Sequence, residues 1–203
     1  MNRLMVVGML IVLVGIVLAV SICIALFGGD PQARAVRARI AELKSPKANV
    51  RHRGAKGLAE IGPAAKEAVP DLIPLLKDDD PRVRAHSARA LGKIGAPGKD
   101  AIPDLIKLLT DPSPLARKDA AEALGRFGSD AKDATVPLAQ CLADPDVGVR
   151  RAAVVALGKI GPEARMAAGA LESAREDPDQ KVRDSAVFSL AKINKPSRTG
   201  PDR

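Results

Sequence analysis

Val83-Arg84-Ala85-His86-Ser87-Ala88-Arg89-Ala90-Leu91-Gly92-Lys93-Ile94-Gly95 is the stretch that decides the fold. Val83, Ser87, Ala88, Leu91 and Ile94 recur at helical spacing and so share one face. Gly95 follows as a stop, because glycine tolerates the left-handed backbone that ends helices. The stretch returns with a 33-residue period. One column runs Arg51, Arg84, Arg117, Arg150, Arg183, and another runs Leu58, Leu91, Leu124, Leu157, Leu190. A third is Ile61, Ile94, Phe127, Ile160, Ile193, with Gly62, Gly95, Gly128 and Gly161 beside it and Asn194 closing the series. Self-similarity at such a fixed period marks stacked supersecondary units, each able to bury its apolar face only against its neighbours.

Each unit reads as two helices. The first carries the arginine column. The second begins near Pro70, Pro103 and Pro137, since a missing N–H is harmless in a first helical turn. Val69, Leu72, Ile73, Leu75 and Leu76 nearly encircle that second helix, which places it between layers. The fold class is therefore all-α, an α-solenoid of about five helix pairs over residues 31–194. A half-unit leads it, because Val36, Ile40 and Leu43 stand 33 residues before Val69, Ile73 and Leu76.

The columns D-x-x-x-x-V-R-x-x-A-A-x-A-L-G-x-I-G-P resemble the HEAT-repeat family, in the short form found in phycobilisome-lyase-like repeats. The resemblance spans residues 45–194. It implies an Asp/Arg ladder made by Asp78, Asp111, Asp144 and Asp177, each six residues before a column arginine, that caps helix ends and ties units together. Ser45 replaces the aspartate in the first copy, as suits a terminal unit with a missing neighbour.

Residues 4–27 hold no charged side chain, and about 20 apolar residues suffice to cross a bilayer as a helix. The run exceeds the usual length of a cleaved signal's apolar region, about 7 to 15 residues. A single-pass anchor in an inner or plasma membrane is expected, with 1–3 as an N-terminal tail, 28–30 as a short linker and 195–203 as a disordered C-terminal tail. Arg3 alone precedes the run, whereas Arg34, Arg37, Arg39, Lys44 and Lys47 follow it. The positive-inside rule then turns the repeats toward the cytoplasm. Arg34, Arg37 and Arg39 are also placed to touch anionic lipid headgroups.

The net charge of +8 is uneven. Residues 30–56 carry eight basic side chains against Asp30 and Glu42, a balance of +6, whereas 57–194 carry 20 basic and 21 acidic, a balance of −1. A general phosphate-binding surface is not expected from a near-neutral repeat body, and nucleic acid ranks last among partners. Three Phe, no Tyr and no Trp leave little to stack on bases.

No catalytic, cofactor-binding or metal-ligating set emerges from the sequence. His52 and His86 fall in different columns without neighbouring Glu and read as exposed surface histidines. Cys23 and Cys141 show no metal or redox spacing. Lys66, Lys99, Lys132 and Arg165 form a basic loop column that Glu67, Asp100 and Asp133 partly cancel, which reads as a solvated edge. Columns that diverge on the second helices supply the candidate partner-binding residues Asp71, Lys77, Asp104, Lys107 and Gln140. The expected function is a membrane-anchored scaffold or adaptor that binds another protein through the solenoid. The alternatives are a bilin lyase or lyase-accessory role, implied only by the family resemblance, and nucleic-acid binding.

Overall fold

The computed structural model describes residues 30–195. The expected tail 1–3, the membrane run 4–27, and residues 28–29 and 196–203 lie outside the described residues. Among those described, every regular element is helical, and no helix is long and apolar enough to cross a membrane.

Helix α1 (Pro31–Leu43) opens the stack. The first helices of the five units are α2 (Ala48–Ile61), α4 (Pro81–Ile94), α6 (Pro114–Phe127), α8 (Val147–Ile160) and α10 (Gln180–Ile193), 14 residues each. The expected buried face is present: Val83, Ser87, Ala88, Leu91 and Ile94 are all inaccessible or nearly so. Asp30, Asp80, Asp146 and Asp179 cap their helices by accepting backbone N–H bonds, as Asp80 does from Arg82 (2.8 Å) and Asp146 from Val149 (3.1 Å), whereas Lys47 and Ser113 at the starts of α2 and α6 do not.

The second helices depart from expectation. They are α3 (Val69–Leu72), α5 (Ile102–Leu108), α7 (Thr135–Gln140) and α9 (Ala168–Ser173), each entered through a 3₁₀ segment such as Gly62–Ala68. Pro74 explains the shortest of them. It lacks the N–H that would bond to the carbonyl four residues back, and a 3₁₀ turn, Pro74–Lys77, takes over. Where Lys107 occupies that column, the α-helix continues to Leu108.

The glycine stops also differ from the expected left-handed helical geometry. Gly95 has φ 81° and ψ −142°, and Gly62, Gly128 and Gly161 lie close by. That quadrant is open at low cost to glycine alone. Asn194, the odd member of the column, has an ordinary helical backbone (φ −83°, ψ −5°).

Leu58, Leu91, Leu124 and Leu157 on the first helices meet Leu72, Leu105, Leu138 and Leu171 on the second, all fully buried. Val36 and Leu43 of α1 close the near end of this core. First helices also pack directly on one another. A Cβ added at Gly92 would lie 2.6 Å from Ala123 Cα, and one at Gly125 2.8 Å from Ala156 Cα. The first helices thus approach one another closely at these glycines.

The arginine column welds the units. Arg84 Nε and Nη2 donate to Asp111 Oδ2 and Oδ1 (2.7 and 2.8 Å), while Nη1 donates to the backbone carbonyl of Asp78 (2.7 Å). Arg51, Arg117 and Arg150 repeat the rung with Asp78, Asp144 and Asp177. Each carboxylate therefore pairs with the arginine 27 residues before it, in the preceding unit, while the arginine six residues after it holds the aspartate's carbonyl. In Asp78, desolvation raises the carboxyl's pKa, but the bonds from Arg51 and from the Asp80 amide outweigh it and the net displacement is downward. In Asp177 the Arg150 bond is the largest influence and the direction is the same. Ser45 offers only its backbone carbonyl to Arg51 (3.0 Å).

Candidate partner-binding surface

Two faces of the solenoid present side chains in rows, one per layer. On the second-helix face the structure brings four of the five candidate residues into one ion-pair ladder. Lys44 reaches Asp71 (3.2 Å), Lys77 reaches Asp104 (3.3 Å), and Lys107 also reaches Asp104 (3.1 Å). Lys77 and Lys107 nevertheless stay largely in solvent, so these pairs contribute little to stability. The ladder ends after Lys107, because the next positions are Thr110, Pro137, Ala143 and Ala170. Gln140 stands apart and exposed. Beyond it a shallow groove of about 310 Å³ runs among Ala139, Leu142, Ala143, Ala170 and Glu176.

The first-helix face is different in charge and shape. Two grooves, of about 360 and 330 Å³, lie between α6 and α8 and between α8 and α10, and share Val155 and Lys159. The first is lined by Lys118, Arg126, Arg151 and Lys159 with Glu122 as its carboxylate, and Gly125 lies in it where α6 and α8 approach. The second adds Phe188, Asp184 and Lys192. Phe188 is 64% exposed, with the Lys192 ammonium 4.5 Å from its ring centroid. The sequence places Phe188 in or beside the core, but its column is Lys56, Arg89, Glu122, Val155, Phe188, which faces outward. Of the two phenylalanines among the described residues, Phe127 is the core one.

Deeper on this face lies a charged pair missed in the sequence. Asp119 is wholly buried against Arg89, whose Nη2 donates to Asp119 Oδ1 (2.7 Å). Desolvation dominates and pushes the Asp119 carboxyl up, with the Arg89 bond opposing. Asp119 Oδ2, Arg89 Nε and Ser87 Oγ find no protein partner. Asp119 shares its column with His86 and Arg53, a mixed column without the uniformity that reveals the core ones.

The two histidines are half-buried and touch, contrary to the expected isolated exposed pair. Their rings meet edge to face at 4.5 Å, and His86 Nδ1 lies 3.0 Å from the Arg82 carbonyl. Burial, then the neighbouring His86 and Arg82, lowers the pKa of His52. Among the described residues no group of His, Cys, Asp and Glu is arranged to hold a metal ion. Cys141 is buried, and its thiol is pushed up to about 11, so it behaves as a small apolar side chain and not as a nucleophile.

The HEAT-repeat profile matches residues 36–109 and 102–191, which together span most of the chain. No curated protein sequence matches it. Among solved structures, the complex of CpcE and CpcF of phycocyanin lyase from Nostoc sp. PCC7120 is similar at 27% identity and TM-score 0.67, over 78% of this chain and 65% of that one. An engineered protein is similar at 26% identity and TM-score 0.63, over 78% of each chain. A designed armadillo repeat protein in complex with the peptide (KR)4 shares the fold at 22% identity and TM-score 0.69, over 80% of this chain and 83% of that one.

Proposed function

The chain belongs to the HEAT-repeat family, and from that premise we propose that it is a scaffold or adaptor that binds another protein through its solenoid surface. The observation that carries this reading is the run of four equivalent Arg–Asp rungs, which fixes each unit against the next and keeps an extended face in one shape. A preformed surface spends little ordering entropy on binding. Residues 4–27 anchor the chain in a membrane, and the basic residues that follow hold the repeats on the cytoplasmic side. Cross-linking and affinity capture of the tagged full chain from membranes, with quantitative mass spectrometry, tests the reading. One protein enriched in proportion to the bait supports it, and no reproducible enrichment counts against it. Protease treatment of intact cells and inverted vesicles tests the topology, since digestion confined to inverted vesicles is expected.

A second reading, lyase or lyase-accessory action on a bilin, is favoured only by the likeness to the phycocyanin lyase complex. Fold likeness is a weak ground for activity. Absence of bilin absorbance on the purified chain after incubation with free bilin would exclude it.

A further inference from the structure

Resting on the protein-binding reading, we infer that the partner contributes an acidic segment bearing an apolar side chain, laid across α6, α8 and α10 on the first-helix face. The near-neutral balance of the repeat body hides a segregation of charge. Asp78, Asp144 and Asp177 are spent on arginines between the layers, and Asp71 and Asp104 on lysines of the opposite face. Four of the five first helices meanwhile raise one cation in their last turn, at Lys93, Arg126, Lys159 and Lys192. Among the described residues none of these four, nor Arg151, is within ion-pairing distance of a carboxylate, and the two acids near the grooves are engaged, Glu122 with Lys118 (3.7 Å) and Asp184 with Gln180 (2.8 Å).

Spacing matches an extended chain. Packed helices stand about 8 to 10 Å apart, and a chain in the extended polyproline-II conformation rises about 3.1 Å per residue with about three residues per turn, so a carboxylate at every third residue stays on one face and meets successive cations. Between Lys159 and Lys192 the groove changes character, with Val155 and Phe188 exposed on its walls. That is the seat for the apolar side chain. A nucleic-acid backbone would use the cations but not these two residues, and the face offers a single exposed aromatic for stacking.

The test uses the full chain in detergent micelles and a fluorescent peptide with Glu at every third residue and one central Leu. Saturable binding is expected. It should weaken about tenfold in Lys159→Glu and about threefold in Phe188→Ala or when the peptide's Leu becomes Ser. Lys132→Glu, the same charge change on the loop edge, should leave it unaltered. Both groove positions are exposed, and unchanged circular dichroism verifies the fold. No saturable binding, an equal loss in Lys132→Glu, or tighter binding of an oligothymidine that ignores Phe188→Ala would each overturn the inference, the last in favour of nucleic acid. A photo-cross-linking residue at position 159 or 140 in cells separates this inference from the reading beneath it. Capture of an acidic peptide from 159 supports the surface named here. Capture from 140 alone sinks the surface and leaves protein binding standing, and capture from neither sinks both.

Discussion

Substituting the two end members of the arginine column isolates the strength of one inter-unit rung. Arg51→Met removes two bonds to Asp78 (2.6 and 2.8 Å) and two to backbone carbonyls at Ser45 and Pro46 (3.0 and 3.1 Å). Arg183→Met removes the equivalent carbonyl bonds to Asp177 and Pro178 and one to Gln180, but no inter-unit carboxylate, since no unit follows among the described residues. Methionine retains most of the apolar stem in both cases, so lost packing largely cancels. Stranding one partner of a buried pair costs about 3 to 5 kcal/mol, and this rung lies at a seam where Arg51 keeps some solvent contact and Asp78 keeps the Asp80 amide (2.9 Å). We therefore expect about 2 to 3 kcal/mol for Arg51→Met and about 1 kcal/mol for Arg183→Met. Urea unfolding of the full chain, followed by circular dichroism at neutral pH, measures both. The sign of the pH dependence is a second check. The Asp78 carboxyl is held below its ordinary range, so its contribution is complete above the unfolded value of about 3.9 and disappears as pH falls through the folded one. Wild type and Arg51→Met should converge in stability as pH drops below about 4. Equal costs for the two substitutions at neutral pH would show that the carbonyl bonds, not the carboxylate, tie the units.

Leu124→Ala, at a fully buried site in the central unit, is expected to cost about 2 to 5 kcal/mol in the same assay, and an unchanged unfolding midpoint would contradict the core. Gly125→Ala drives a methyl to 2.8 Å from Ala156 Cα, which is backbone and cannot rotate aside; about 1 to 3 kcal/mol of overpacking should outweigh the roughly 1 kcal/mol gained in helix propensity. A lower thermal midpoint is the expected readout, and a higher one would mean that α6 and α8 stand further apart than described. Asp119→Ala should be neutral or stabilising at pH 7, within about 1 kcal/mol, because the lone Arg89 can turn to solvent while an under-bonded buried carboxylate is lost. With its folded pKa raised, Asp119 favours the fold below its unfolded value and loses that advantage as pH rises, so the gain from alanine should be larger at pH 7 than at pH 4. A loss above about 2 kcal/mol would show the pair to be structural.

The solenoid was legible because its determinants repeat. Arg51 to Arg183, Leu58 to Leu190 and Ile61 to Ile193 each sample one environment five times, so five coincident matches identify a packing position without knowledge of the neighbours. What was not legible depends on distance in the fold and not on periodicity. That Asp78 serves the arginine 27 residues earlier, and not the one six residues later, follows from how layers stack. The break after Leu72 comes from Pro74 acting on a backbone already tightened by 3₁₀ entry, an effect absent from the apolar pattern. The candidate residues Asp71, Lys77, Asp104 and Lys107 could be read as variable and solvent-facing, but their mutual pairing arises from adjacent layers bringing position 77 against 104. Phe188 adjoins the buried positions Ser189 and Leu190, and only its column mates Lys56, Arg89 and Glu122 reveal that it points outward.

Charge counted along a chain and charge counted over a face answer different questions, and here they give opposite answers. Between residues 57 and 194 acids and bases nearly cancel, yet a ligand approaching the first helices meets Arg126, Arg151, Lys159 and Lys192 at close range. Of the acids that balance them, Glu122 and Asp184 lie in the grooves and are engaged by Lys118 and Gln180, while Asp78, Asp111, Asp144 and Asp177 sit under arginine forks and Asp71 and Asp104 on the opposite face. At physiological ionic strength the screening length is about 8 Å, shorter than the roughly 10 Å thickness of one helical layer, so the carboxylates of that opposite face do little to mask the cations. The near-neutral body therefore gives no ground for ranking anionic partners low. What discriminates among them is the pair Val155 and Phe188, which adds apolar surface to one end of an otherwise cationic row. A ligand that is anionic along its length and apolar at one point satisfies both features, and raising the salt concentration should weaken its binding while leaving the contribution of Phe188 intact.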